Sequence, residues 1–142
     1  MAGPSIWVVD TNVVVAGVVS TDKDAPTGRI LEEMLGGQLR FLLSVELLGE
    51  YRAVLARPRI KARHGLSLNE VDRLLYRLAE HGTTVEPSTA KHLSPDDGDQ
   101  HLWSILEAVE RACLVTGDRL LLENCPWPGR VMTPRQWQDH VL

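Results

Sequence analysis

The segment SIWVVDTNVVVAGVV, residues 5–19, decides how this chain folds, because it places three adjacent polar residues inside its most apolar stretch. Residues 5–10 are mostly apolar and β-branched, which predicts a buried strand that ends at Asp10. Asn12 is a good N-cap residue, so we expect it to start a helix. A buried carboxylate is costly unless it is paired, hydrogen-bonded or bound to a metal. The rest of the sequence must therefore supply a partner for Asp10.

The size and composition of the chain indicate one soluble domain over residues 1–142, with 44% hydrophobic residues to form its core. The net charge of −4 argues against a protein whose whole surface coats nucleic acid. Cys113 and Cys125 form no Cys-x-x-Cys pair, which indicates reduced thiols. There is no basic N-terminal region and no apolar run of membrane-spanning length. We therefore expect a cytoplasmic protein that makes no membrane contact.

Strands and helices alternate along the chain. Apolar, β-prone runs predict strands over residues 5–10, 40–43, 83–87, 113–116 and 130–133. Helical periodicity predicts helices over residues 25–37, 45–58, 67–82, 97–112 and 133–142. Such alternation is typical of a mostly parallel sheet with helices on its faces. The predicted fold is a three-layer α/β/α sandwich around a central sheet of about five strands.

Local signals set the ends of two of these helices. Ser44 is the predicted N-cap of the helix over 45–58, and Pro58 is expected to stop that helix. Ser67 with Glu70 three residues later forms a capping box, which predicts the start of the helix over 67–82.

Acidic residues gather where parallel α/β folds bind ligands, beyond the carboxyl ends of the strands. Asp10 ends the first strand, and Asp118 follows the strand CLVT. Glu46 and Glu50 lie four residues apart on one helix, where like charges repel. Each acid taken alone could be a helix cap or a first-turn residue. Their convergence at one edge is harder to explain in that way, because unpaired carboxylates raise one another's pKa.

A third acidic group lies in SPDDGDQHL, residues 94–102. Asp99 precedes Leu102 by three residues and Leu106 by seven, so it shares the core-facing stripe of the predicted helix. Asp97 falls off that stripe, and Asp96 belongs to the preceding loop or cap. We rank Asp99 first and Asp96 second, and the choice among the three acids stays open at this point.

A divalent cation would relieve the repulsion among these carboxylates. Mg²⁺ and Mn²⁺ prefer oxygen ligands and leave coordination positions for a phosphate. The chain has no Cys/His cluster with the spacing of a zinc site. The sequence therefore predicts that Asp10 is a ligand of Mg²⁺ or Mn²⁺.

Four segments in this order resemble the PIN-domain family of metal-dependent nucleases: VVDTNVVVAG, LLSVELLGEYRAVLARPRI, SPDDGDQHLWSILEA and ACLVTGDRLLL. The resemblance extends over most of the chain and is strongest to bacterial members classed as toxins of toxin–antitoxin pairs. It implies metal-dependent hydrolysis of RNA phosphodiester bonds.

The resemblance also implies roles for individual residues. The catalytic acids would be Asp10, Glu50, Asp99 and Asp118, of which Asp10, Asp99 and Asp118 would hold the metal. The supporting residues would be Asn12, Thr116, Glu46 and Asp96. His101 lies near Asp99, but a lone histidine is more often structural, so we give it no role.

A basic segment follows the second acidic helix. Between residues 52 and 63 no acid intervenes among five cations, which are Arg52, Arg57, Arg59, Lys61 and Arg63. This local excess in an acidic protein suits an RNA backbone. A solvated helix end would give the same pattern, because basic residues also favour helix C-termini. Both interpretations stay open.

The expected partners are RNA, a small antitoxin protein encoded beside this chain and, as a further option, a second copy in a dimer. A catalytically silent PIN domain that binds RNA or protein is the main alternative. A phosphotransfer or phosphatase domain also places Asp residues at strand ends, but DTN lacks the second Asp of haloacid-dehalogenase-type phosphatases. A dinucleotide-binding module would need G-x-G-x-x-G after the first strand, which is absent.

Overall fold

The computed structural model describes residues 6–141, and every strand pairing within this range is parallel. The strands are β1 (Ile6–Val9), β2 (Leu42–Leu43), β3 (Thr83–Thr84), β4 (Ala112–Val115) and β5 (Val131–Met132). The helices are α1 (Thr11–Val19), α2 (Pro26–Gly36), α3 (Val45–Leu55), α4 (Pro58–His64), α5 (Leu68–His81), α6 (Gln100–Ala108), α7 (Arg119–Glu123) and α8 (Pro134–Val141). A 3₁₀ turn, Asp97–Asp99, precedes α6. The predicted first strand and last helix extend to Ser5 and Leu142, which lie outside the described residues.

The parallel strands form two ladders, so the expectation of one five-stranded sheet is only partly met. The larger ladder has the order β1–β4–β5, and the smaller one pairs β2 with β3. The ladders are joined by a single parallel bridge between Trp7 and Phe41, and the Trp7 N–H donates to the Arg40 carbonyl at 3.0 Å. The α/β class is confirmed, and the ladders count as two because the pairing of β1 with the segment before β2 is limited to that bridge.

The register of the larger ladder determines where the acidic side chains meet. Val9 lies opposite Val115 in parallel pairing, and both strands end there. The residues that follow, Asp10 and Thr116, are therefore neighbours although 106 positions separate them. The Asp10 N–H continues the ladder by donating to the Val115 carbonyl at 3.0 Å.

Asp10, and not Asn12, is the N-cap of α1, which corrects the expectation for this helix. The Asp10 carboxylate accepts from the Thr11 N–H at 2.8 Å, and helical geometry begins at Thr11. Asn12 lies inside the first turn and uses its side chain for contacts beyond the helix. The sequence could not distinguish the two, because Asp and Asn are about equally good N-caps.

The predicted helix over 45–58 is shorter than expected, and a further helix follows it. Ser44 caps α3 as predicted, accepting from the Leu47 N–H at 3.1 Å. The helix ends at Leu55, and Pro58 then occupies the first turn of α4. Proline is favoured at this position because its missing N–H is not needed there. The capping box predicted at Ser67 and Glu70 is confirmed at the start of α5.

The core forms around β1 and β4, whose residues are all buried. Tyr51 and Leu55 of α3 and Leu102 and Leu106 of α6 are fully shielded from solvent. Both helices therefore start at fixed positions next to the carboxyl ends of the strands. No helix within residues 6–141 is long and apolar enough to cross a membrane.

Candidate active site

Asp10 is 4% exposed, and both oxygens of its carboxylate accept hydrogen bonds from neighbouring groups. Its Oδ2 accepts from the Thr116 hydroxyl at 2.6 Å and from the Asn12 amide at 3.1 Å. Burial raises the pKa of Asp10, and the charges of Glu50 and Asp118 raise it further, whereas the bonds from Thr116 and Thr11 act in the opposite direction. The carboxylate is thus fixed in position and electrostatically unfavourable without a cation.

Asn12 and Thr116 join the loop after β4 to the start of α1. The Asn12 Oδ1 accepts from the Gly117 N–H at 3.1 Å, and its Nδ2 donates to the Thr116 hydroxyl at 3.4 Å. The same hydroxyl accepts from the Asp118 N–H at 3.0 Å. These contacts hold Asp118 at the edge that Asp10 occupies.

Asp118 is the N-cap of α7. Its Oδ1 accepts from the Leu120 N–H at 2.9 Å, and its Oδ2 receives no hydrogen bond from residues 6–141. One oxygen of this carboxylate therefore stays available to a ligand.

Glu50 reaches the site from the second turn of α3. The Thr11 hydroxyl donates a short hydrogen bond to its Oε1. The neighbouring Tyr51 hydroxyl donates to the Val9 carbonyl at 2.5 Å, which ties α3 to the end of β1. Burial, with smaller contributions from Asp10 and Glu50, raises the pKa of Tyr51 well above its ordinary value, so Tyr51 remains a donor. Local sequence patterns do not predict this contact, because Val9 lies 42 positions from Tyr51.

Asp99 comes closest to a free ligand among the acids. It occupies the N-cap position of α6, yet its side chain caps nothing and receives no hydrogen bond from the described residues. The pKa of Asp99 is raised to about 6, first by partial burial and then by the charges of Asp10, Asp118, Asp96 and Glu50. A carboxylate with these neighbours and no partner is suited to binding a cation.

The other two acids of the third group, Asp96 and Asp97, are more exposed than Asp99. Asp96 is exposed and caps the 3₁₀ turn, where its Oδ1 accepts from the Gly98 N–H at 2.8 Å. It contributes to the raised pKa of Asp99 and so lies at the rim of the acid cluster. Asp97 is exposed and is not among the charges that act on Asp99. The structure therefore brings together Asp10, Glu50, Asp99 and Asp118, with Asp96 beside them.

Glu46, one helical turn before Glu50, is not part of this cluster. It is exposed and lines a separate cavity of about 230 Å³ that borders the site. His101 lies between the two, with its Nε2 at 3.7 Å from the Glu50 Oε2. Sequence reasoning assigned no role to this histidine. Its position four residues before the buried Ile105 was the available signal, since that spacing predicts a ring that faces inward.

The donor set of the acid cluster fits a hard divalent cation. All the candidate ligands are carboxylate oxygens, and among residues 6–141 the Asp99 carboxylate and one oxygen of Asp118 have no hydrogen-bond partner. Within residues 6–141, no group of three or more His, Cys, Asp or Glu side chains stands in an arrangement that could hold a metal ion. Rotation of these side chains would thus accompany binding, as expected for carboxylates that repel one another.

The basic segment lies on the end of α3 and on α4. Arg52 is engaged in an exposed ion pair with Asp72, with Nε at 2.8 Å from Oδ1. The other four cations are exposed and form no ion pair within residues 6–141: Arg57, Arg59, Lys61 and Arg63. Arg63 and Asn12 line the same cavity, of about 640 Å³, and the Asn12 amide also donates to the Asp10 carboxylate.

Comparison with protein families gives the class to which this geometry belongs. A model of the PIN domain matches residues 7–120, a range that includes all four converging acids. The chain belongs to the PIN-domain family. Members of this family are typically nucleases, and the family generally uses divalent metal ions. A comparison with curated proteins gave no significant match.

Proposed function

We propose that this protein is an endoribonuclease that depends on Mg²⁺ or Mn²⁺ and hydrolyses RNA phosphodiester bonds. One observation carries the proposal. Carboxylates from four separate segments act on one another at the ends of β1 and β4, and the most perturbed of them, Asp99, has no structural partner among the described residues. Perturbed carboxyl groups without a structural purpose are typical of functional sites.

Each acid has a distinct part in this proposal. Asp10, Asp99 and Asp118 would hold the ion, and Glu50 would complete the pocket. When bound, such an ion lowers the pKa of a water molecule and offsets charge that develops on the phosphate. The Thr116 hydroxyl would hold the Asp10 carboxylate in position through its Oδ2. The Asp99 carboxylate and the oxygen of Asp118 that does not cap α7 would then approach the ion beside it.

The substrate would approach along α4. Arg57, Arg59, Lys61 and Arg63 supply exposed positive charge in an otherwise acidic protein. The cavity shared by Arg63 and Asn12 supports a path for the RNA backbone from these cations to the acids. Arg52 contributes less in this proposal, because its guanidinium is already paired with Asp72.

The biological role proposed here is the toxin of a toxin–antitoxin pair. Support comes from the resemblance of the sequence to bacterial PIN toxins and from a physical argument. A nuclease that cuts cellular RNA harms its host unless an inhibitor accompanies it, and an Arg or Lys of a partner could enter the acid cluster in place of a metal. We further propose a cytoplasmic location, which the free thiols of Cys113 and Cys125 support. In this role the chain would act alone or as a homodimer.

The test is cleavage of RNA by the purified protein. We expect cleavage with Mg²⁺ or Mn²⁺, none with EDTA, and a loss of at least about 100-fold in Asp99→Asn. Asp97→Asn is the matched control, because it removes an exposed acid two positions away that does not act on Asp99. Loss of activity in Asp97→Asn with full activity in Asp99→Asn would overturn the assignment of the third acid.

The same assay distinguishes the alternatives. RNA binding without cleavage under either ion would assign the protein to the catalytically silent class. Hydrolysis of p-nitrophenyl phosphate with no cleavage of RNA would favour a phosphatase.

A further inference from the structure

The cavity of about 230 Å³ beside the acid cluster is lined by polar and apolar groups in a particular arrangement. Glu46 of α3 and Glu86, two residues after β3, bring exposed carboxylates to it. Neither forms an ion pair within residues 6–141. Val45 and Pro87 supply apolar surface, and Val45 is 76% exposed. At ~30 Å³ per water molecule, the cavity has room for several waters or for one planar ring.

His101 forms the wall between this cavity and the acid cluster. Its side chain is only 9% exposed, and neither Nδ1 nor Nε2 has a hydrogen-bond partner in the part of the chain that the structure describes. Buried polar atoms of this kind are costly to leave unsatisfied. The torsion of the imidazole ring about its Cβ–Cγ bond is soft, so a small rotation presents one nitrogen to the cavity. The ring thus points to a ligand that supplies the missing partner.

The charge of the cavity selects the chemistry of that ligand. Two carboxylates repel phosphate and accept hydrogen bonds, so the ligand must present N–H donors. Single-stranded RNA bases are commonly recognised through the hydrogen bonds of their Watson–Crick edges. Guanine alone has two adjacent donors on that edge, N1–H and the 2-amino group, which match the two oxygens of one carboxylate. Adenine and cytosine place an acceptor beside their amino group, and uracil places its N–H between two carbonyl oxygens.

We propose that this cavity binds the guanine base of a nucleotide next to the phosphate that is cleaved. The proposal rests on the proposed ribonuclease function and names the substrate feature that the enzyme prefers. Glu46 or Glu86 accepts from the guanine edge, His101 bonds to a remaining polar atom of the base, and Val45 covers one edge of the ring. Because His101 lines the cavity and its Nε2 lies 3.7 Å from the Glu50 Oε2, a base seated there directs its own phosphate toward the acid cluster.

Binding of mononucleotides tests this proposal without any catalytic step. The protein is titrated in EDTA with the monophosphates of guanosine, inosine, adenosine, cytidine and uridine, and backbone amide shifts are followed by NMR. We expect guanosine monophosphate to bind about tenfold or more tightly than inosine monophosphate, which lacks the 2-amino group. The largest shifts are expected at Val45, Val85 and Ser104, which line the cavity.

A double variant and a charge-matched control assign the effect to the cavity. Glu46→Gln/Glu86→Gln is expected to remove the preference for guanosine over inosine monophosphate. Glu32→Gln/Glu80→Gln removes two exposed carboxylates from α2 and α5, outside the cavity, and is expected to keep the preference. Equal binding of all five nucleotides, or a preference that survives in Glu46→Gln/Glu86→Gln, would overturn the proposal. Carboxylate-dependent binding of acetyl-arginine amide without nucleotide binding would also overturn it and would assign the cavity to a basic side chain of a protein partner.

Cleavage assays separate this inference from the proposed function. Metal-dependent cleavage of RNA with no preference for guanosine would leave the ribonuclease standing and remove the guanine site. Selective guanosine monophosphate binding in a protein that cleaves no RNA with Mg²⁺ or Mn²⁺ would leave the site standing and remove the ribonuclease.

Discussion

The Thr116 hydroxyl donates a 2.6 Å hydrogen bond to the Asp10 carboxylate and accepts one from the Asp118 N–H at 3.0 Å. One side chain thereby links two of the acids that converge at the ends of β1 and β4. Thr116 is fully shielded from solvent, so its hydroxyl acts by holding its neighbours in place.

Replacing this hydroxyl tests its positioning role. Thr116→Val keeps the shape of the side chain but leaves the Asp118 N–H without its partner and raises the pKa of Asp10 further. We expect RNA cleavage to fall by about 10- to 100-fold, as for other groups that orient metal ligands. The free energy of unfolding should fall by about 1 kcal/mol. Urea denaturation and initial cleavage rates at saturating metal measure the two effects.

Thr84→Val is the control for that experiment, because Thr84 is exposed on β3 and its side chain makes no hydrogen bond with residues 6–141. It should leave both quantities unchanged. Full activity in Thr116→Val would show that Asp10 keeps its position without the hydroxyl.

The raised pKa of Asp99 predicts how the stability of the metal-free protein depends on pH. The pKa of Asp99 is about 6 in the folded chain, against 3.8 for an ordinary aspartate. Between these two pH values Asp99 is protonated in the folded state and ionised in the unfolded state. Stability therefore falls as pH rises from about 4 to about 6, and the raised pKa of Asp10 acts in the same direction. In Asp99→Asn the Asp99 contribution disappears.

The free energy of unfolding is measured in EDTA for the wild type and for Asp99→Asn, and the value for the variant is subtracted from that for the wild type. This difference should fall by about 1 kcal/mol between about pH 4.5 and pH 7, after allowance for solvent screening of a partly exposed group. Glu70 and Asp72, whose pKa values are lowered, contribute equally to both proteins and cancel. Asp97→Asn should keep the Asp99 contribution, because Asp97 is not among the charges that raise the pKa of Asp99. A wild-type curve parallel to that of Asp99→Asn would mean that Asp99 titrates normally.

The free cations of α4 predict a salt-dependent interaction with RNA. Replacing Arg57, Arg59 and Lys61 together with Gln should weaken RNA binding and flatten the slope of log K against log salt by roughly two units. Fluorescence anisotropy with a labelled RNA in EDTA measures binding without cleavage. Arg52→Gln is the matched control and should change the slope little, because Arg52 is paired with Asp72. An unchanged slope in the triple variant would assign the segment to a solvated helix end.

The proposed toxin role predicts an effect on growth. Expression of the chain alone should slow growth, Asp99→Asn should be harmless, and co-expression of the small gene encoded beside it should restore growth. In the purified complex, the partner should lower both cleavage and metal occupancy, since a basic side chain among the acids competes with the ion. Harmless expression of an active nuclease with no partner encoded nearby would favour a housekeeping role. A partner that binds without lowering cleavage or metal occupancy would overturn this mode of inhibition.

Local chemistry within the sequence determined most of the elements and the caps of α3 and α5. The strand before Asp10, the cap at Ser44 and the capping box at Ser67 depend on residues a few positions apart, so periodicity and capping rules predict them. The convergence of the acids could be predicted for a similar reason. Strand ends in a parallel sheet meet at one edge, and helical phase alone favoured Asp99 over Asp97.

Contacts between distant segments decided the rest. Asp10 rather than Asn12 caps α1 because the Asn12 side chain is held by Gly117, 105 positions away. The pairing of Arg52 with Asp72 and the place of His101 beside Glu50 likewise depend on how α3 lies against α5 and α6. Periodicity within one segment carries no information on which group from another segment will arrive at a given side chain. Within residues 6–141, the tertiary structure therefore decided which basic side chains form no ion pair and that the His101 ring nitrogens have no hydrogen-bond partner. Packing of the whole core sets the distances between these groups.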